Sequence, residues 1–120
     1  MDSDPYESHE CDTPTQAAVS ILVRRVTPKW PHKPYEHRCS LAFYERVAHE
    51  ADELGETGFT GEDIVLRTGI PHSCVFTALA FLKERGCIIS EGKRNLAPAC
   101  GGVHLDAMIE YHALREKPRH

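Results

Sequence analysis

The segment TGEDIVLRTGIPHSCVFTALAFLKERG, residues 60–86, leaves this chain the fewest structural choices. Thr60 can cap a short helix, with Asp63 in the slot that completes a capping box. Ile64, Val65 and Leu66 supply that helix with apolar residues, and Gly69 stands where a helix ends in a left-handed residue. The three residues Gly69, Ile70 and Pro71 then make the turn. The next helix runs from about Pro71 to Arg85, carries Val75, Ala78, Leu79 and Leu82 at i, i+3, i+4 and i+7 spacing, and closes at Gly86. Two helices joined this tightly make a helix-turn-helix.

The flanking segments extend that unit. Ser40 caps a helix whose apolar positions Leu41, Tyr44, Val47, Ala48, Ala51 and Leu54 keep helical spacing up to the breaker Gly55. After Gly86, CIIS reads as a strand, EGKRN as a tight basic turn, and LAPA as a returning strand limited by Pro98. A helix, a helix-turn-helix and a β-hairpin in that order form a winged helix over residues 40–100. Before it, Thr13, Pro14 and Gln16 suit the start of a helix over 14–26, with Ala18, Ile21, Leu22 and Val26 on one face. A strand competes there, because VSILVRRV is rich in β-branched residues. Pro28, Pro31 and Pro34 then make an extended connector up to residue 39, basic through Lys29, Lys33 and Arg38. Past the breaker CGG, VHLDAMIEYHALRE reads as a last helix within residues 101–120, with Leu105, Met108, Ile109 and His112 on one face. The fold class expected is mainly α with a small β-hairpin: a winged helix-turn-helix with extra N- and C-terminal helices.

At 120 residues the chain suffices for one domain with a modest core. The formal charge of −4 misleads until it is located. Residues 1–12 hold Asp2, Asp4, Glu7, Glu10 and Asp12 and no Lys or Arg, so the remainder carries +1. Residues 1–13 are therefore expected to be a disordered acidic tail. They lack a signal peptide's order of basic, apolar and small residues, and no apolar run in the chain approaches the roughly 20 residues of a membrane helix. Five cysteines without a small-domain disulfide spacing fit a reduced, cytoplasmic chain.

The run DIVLRTGIPHSCVFTALAFLKERGCI resembles winged helix-turn-helix regulators of the MarR and IclR kinds. The matching positions are Ile64 and Leu66 of the supporting helix, Gly69 of the turn, Ser73 and Val75 at the start of the recognition helix, and Leu79, Leu82 and Gly86 at its end. The resemblance implies a DNA-binding transcriptional regulator whose terminal helices build a homodimer, presenting two recognition helices to half-sites about one helical turn apart. Such proteins usually expose Arg or Lys on the recognition helix, and this chain departs from that pattern. A 3.6-residue projection puts Ser73, Thr77, Ala80 and Glu84 opposite the core stripe, with His72, Phe76 and Lys83 on one flank and Cys74, Phe81 and Arg85 on the other.

Without an arginine fork on that helix, sequence reading would be weak or shape-based. The wing is better equipped, through Lys93, Arg94 and Asn95. The expected double-stranded DNA contacts are thus His72, Ser73, Phe76, Thr77, Lys83, Lys93, Arg94 and Asn95. The alternative is a winged-helix protein-protein interaction module that does not bind DNA, docking through the small neutral face flanked by Phe76. Cys100 and His104 form C-x-x-x-H, with Cys87 across the hairpin, but no C-x-x-C pair accompanies them and no metal site is assigned. The run HEADE at residues 49–53 lacks the second histidine of a helical zinc-protease motif. No phosphate-binding glycine loop, nucleophile elbow or paired-carboxylate arrangement appears, so neither enzyme activity nor a cofactor is expected.

Overall fold

The computed structural model describes residues 4–13, 16–29, 32–98 and 102–116, and of residues 11–13 and 16–19 the backbone alone. Three strands open the chain: β1 (Tyr6–Thr13), β2 (Gln16–Val26) and β3 (Tyr35–Ser40). They form an antiparallel sheet in chain order with β2 in the middle, where Ser8 faces Leu22 and Leu22 faces Cys39. Both terminal expectations change here. Residues 16–26 are a strand, not a helix, because pairing along both edges of β2 outweighs a local capping signal, and the β-branched run suits a pleated surface. Tyr6–Thr13 is likewise strand rather than disordered tail. Its alternation buries Tyr6 and Ser8 on the inner face, while Glu7 ion-pairs with Arg25 and Glu10 with Arg115.

Four helices follow: α1 (Leu41–Leu54), α2 (Gly61–Thr68), α3 (His72–Glu84) and α4 (Val103–Glu116), with the hairpin β4 (Ile89–Glu91) and β5 (Arg94–Leu96) between the last two. The fold is therefore a mixture of four helices and small antiparallel sheets, and mainly α only in rough terms. Ser40 caps α1 by accepting from the Phe43 amide at 3.2 Å. Thr60 and Asp63 form the expected capping box on α2, and Gly69 ends that helix at φ 75°, a left-handed conformation that costs glycine little. In the hairpin, Gly92 at φ 64° takes the first of two turn residues, as a type II′ turn requires.

One core joins the three-stranded sheet to the four helices. Tyr6, Leu22 and Cys39 from the sheet meet Tyr44, Val47, Ala48 and Ala51 of α1, Val75, Ala78, Leu79, Phe81 and Leu82 of α3, and Val103, Ala107 and Tyr111 of α4. Each such large apolar side chain gains roughly 1.5–3 kcal/mol on burial. The Tyr111 hydroxyl sits between Ser20 Oγ at 2.5 Å and Ser8 Oγ at 3.2 Å, so α4 is fastened to the sheet by a buried polar cluster. The bounds of α4 follow the sequence reading, but its buried face does not. Val103, Ala107, Tyr111 and Leu114 point inward, leaving Leu105 and Ile109 65% and 55% exposed. Leu66 of α2 is also outside the core, 82% exposed. Among the described residues no helix is long and apolar enough to cross a membrane.

Candidate nucleic-acid interface

The short turn from α2 swings α3 across the helical layer, and the N-terminal sheet then packs along one side of it. Phe81 meets the Tyr6 ring edge-on at 5.0 Å, Cys74 Sγ donates to the Arg38 carbonyl at 3.4 Å, and Arg85 bonds Asp4 at 2.6 Å. The flank of Cys74, Phe81 and Arg85 is thereby closed. Only an arc of roughly 120° remains open on α3, by the 100° step of an α-helix. It carries His72, Ser73, Phe76, Lys83 and Glu84, with Ala80 half-buried in its middle.

Thr77 lies on the covered side, which corrects the expectation that it faces outward. It is 2% exposed, and its hydroxyl donates to the Ser73 carbonyl at 2.6 Å, so it has neither access nor a free donor for a base. His72 does lie at the open start of α3, but Nε2 sits 2.8 Å from Glu62 Oε1. That carboxylate competes with any phosphate for the imidazole. Phe76 stays 47% exposed, stacked with His72 and seated over Gly61, where a Cβ would come within 2.5 Å of its ring. No sequence signal pointed to that contact, because it joins the first residue of α2 to the second turn of α3.

Of the three hairpin residues expected to contact DNA, two are exposed. Lys93 and Arg94 are exposed, and among the described residues no ion pair or hydrogen bond engages the side chain of Lys83, Lys93 or Arg94. The stem of Arg94 runs against Gly58, whose added Cβ would lie 3.3 Å from Arg94 Cδ, so the guanidinium projects from a supported base. Asn95 is buried instead, a second correction. Its backbone exchanges hydrogen bonds of 2.7 and 2.9 Å with Phe59, and its side-chain carbonyl accepts from Ser90 Oγ at 3.4 Å. It pins the hairpin to the segment before α2.

Several arginines are already paired. Arg46 and Arg67 converge on the buried Glu50 of α1, and Arg67 also reaches Glu53. Arg38, expected in an extended connector, lies in β3 instead, because residues 35–40 pair with β2, and it is bonded to Glu36. Of the groups weighed for metal binding, Cys87 is buried, with its thiol pushed up to about 11 by desolvation, and Cys100 lies outside the described residues. His104 faces α1 instead, 3.2 Å from Glu45. No protein-family model matches the chain, and comparison with curated proteins and with solved structures gave no match either.

Proposed function

We propose that the chain is a winged-helix DNA-binding regulator held on the duplex by phosphate contacts, with little direct reading of bases. In this reading α1, α2, α3 and the β4–β5 hairpin are the winged helix, α3 is the recognition helix, and the hairpin is the wing. The observation that carries it is the tip of that hairpin, where Lys93 and Arg94 stand exposed and unpaired among the described residues. Lys83, on the open arc of α3, adds a third uncommitted cation. Ser73 is the remaining hydroxyl on α3 able to reach a phosphate or a base edge.

The narrow arc supports weak discrimination. His72 is shared with Glu62, Glu84 repels phosphate, and neither Ser73 nor Lys83 gives the bidentate recognition by which arginine selects guanine. Phosphate neutralisation, by contrast, is indifferent to sequence. The test is titration of the intact chain onto several unrelated duplexes at low salt. Similar affinities for all of them, weakened together in Lys93→Ala with Arg94→Ala, support the reading.

A second reading has its own observation, the exposed Phe76 stacked against His72. An aromatic on a neutral helix face is the kind of anchor that protein interfaces use. A chain that binds no duplex at low salt would make that face a protein-docking surface. Whichever partner α3 takes, the uncovered apolar residues Leu105 and Ile109 of α4, with Met108 beside them, support a two-fold dimer through α4.

A further inference from the structure

Away from α3, the junction of α1 and α4 gathers two imidazoles and a carboxylate. Glu45 and His49 are four residues apart on α1 and so lie one above the other on a single face. His104, in the first turn of α4, stands across from them. One ligand atom from each of the three lies within 4.8 Å of the others. His104 Nε2 is 3.2 Å from Glu45 Oε2, and the His49 and His104 rings stack at 3.8 Å between centroids.

We propose that Glu45, His49 and His104 form a three-ligand site for a divalent transition-metal ion of the zinc type, which clamps α4 to α1. The donor set fits that ion. Imidazole and carboxylate ligands bind zinc at about 2.0–2.2 Å, and a tetrahedral shell then sets its donor atoms about 3.4 Å apart. The Glu45–His104 separation already has that size. Closing the site takes a rotation of the stacked rings so that their nitrogen lone pairs converge. His49 is exposed and His104 partly so, which leaves both rings room to turn. The solvent side leaves a fourth position for water.

The backbone beneath the three ligands is fixed by interactions that the ion need not supply. Asp52, one turn beyond His49, accepts from the Val103 amide at 3.0 Å and so holds the start of α4. Tyr44, next to Glu45, donates to the Ala107 carbonyl at 2.6 Å. Ala48, Ala51, Val103 and Ala107 are all buried between these bonds. With the backbone held this way, binding has to order only the side chains. The arrangement stands whether or not α3 meets DNA.

The test uses Zn²⁺ and Co²⁺ alone on the full-length chain, stripped with a chelator and kept reduced with a phosphine. One equivalent of Zn²⁺ should bind with a micromolar or tighter Kd and raise the melting temperature. Co²⁺ should give ligand-field bands of a nitrogen and oxygen site without a thiolate charge-transfer band. His49→Ala, Glu45→Gln and His104→Ala should each weaken binding by roughly 10-fold or more. Cys74→Ser and His112→Ala should leave it unchanged. Because His49 is exposed, His49→Ala keeps the test valid even if His104→Ala fails to fold. Zn²⁺ binding that is absent, that survives His49→Ala and Glu45→Gln at full strength, or that carries a thiolate signature would overturn the assignment.

Discussion

At the scale of single residues, what a side chain can do is set by neighbours that the sequence does not place beside it. Thr77 and Asn95 look like DNA-facing residues by position and type, yet one is buried and bonded within its own helix and the other is bridged to Phe59. Lys93 was legible as exposed because a two-residue turn bares its tip whatever packs elsewhere, and Arg94 because it adjoins that turn. Leu79 was legible too, since the stripe it belongs to has one buried outcome. Leu79→Ala should cost about 2–5 kcal/mol through the missing transfer energy plus the cavity left behind, measured by denaturant unfolding. A loss below about 1 kcal/mol would contradict its place in the core.

Tyr6 allows a second test at this scale. Its hydroxyl is buried with no hydrogen-bond partner among the described residues, and its pKa is pushed up from 10 to about 12, first by desolvation and next by Glu84. The fold therefore favours the protonated phenol. That preference is intact below about pH 10 and is lost as pH rises through 12. Tyr6→Phe should be as stable as the parent at neutral pH, or more so, since it removes an unsatisfied polar atom. Its stability should also fall less steeply between pH 10 and 12. Unfolding curves across that range check both points, and a marked loss at pH 7 would mean that the hydroxyl is satisfied.

At the scale of elements, the segments bounded by capping chemistry were readable and the segments bounded by pairing were not. Ser40, the Thr60–Asp63 box, Gly69 and Gly86 mark α1 to α3 through bonds within a few residues. The strand state of β2 depends on β1 and β3, and β3 lies beyond a proline-rich connector, so a local T-x-x-Q signal pointed the wrong way. The acid-rich composition of β1 suggested disorder, but Glu7 pairs with Arg25 on the outer face, and Glu10, on the face of Tyr6 and Ser8, pairs with Arg115 of α4. The sheet's grip on α3 runs partly through Arg85, bonded to Asp4 and packed over the Tyr6 and Phe81 rings. Arg85→Ala should destabilise the chain by roughly 1–3 kcal/mol, with hydrogen-exchange protection falling first in β1. Unchanged protection in β1 would mean that the sheet is held by its pairing alone.

At the scale of the whole molecule, the terminal elements fold back on one core instead of waiting for a partner. The apolar stripe of α4 picked out from the sequence is real as a pattern, but Val103, Ala107, Tyr111 and Leu114 are the residues buried, and Leu105 and Ile109 are left outside. Periodicity alone could not choose between two apolar faces on one helix. The uncovered face should join two copies, so sedimentation at about 100 micromolar should give a dimer and Leu105→Glu with Ile109→Glu a folded monomer. A monomer in both cases would remove the two half-site geometry and leave a single DNA-binding module.

The central claim is that the hairpin tip, not α3, supplies affinity for DNA, and the slope of log affinity against log salt on random-sequence duplex measures it most directly. Removing one phosphate-neutralising cation flattens that slope by roughly 0.9. Lys93→Ala with Arg94→Ala should therefore flatten it by about 1.8 and weaken binding similarly on every duplex. Thr77→Val, buried and bonded within its own helix, should leave slope and affinity unchanged. The opposite pattern, with an unchanged slope in the hairpin variant and a sequence-dependent loss in Thr77→Val, would contradict it.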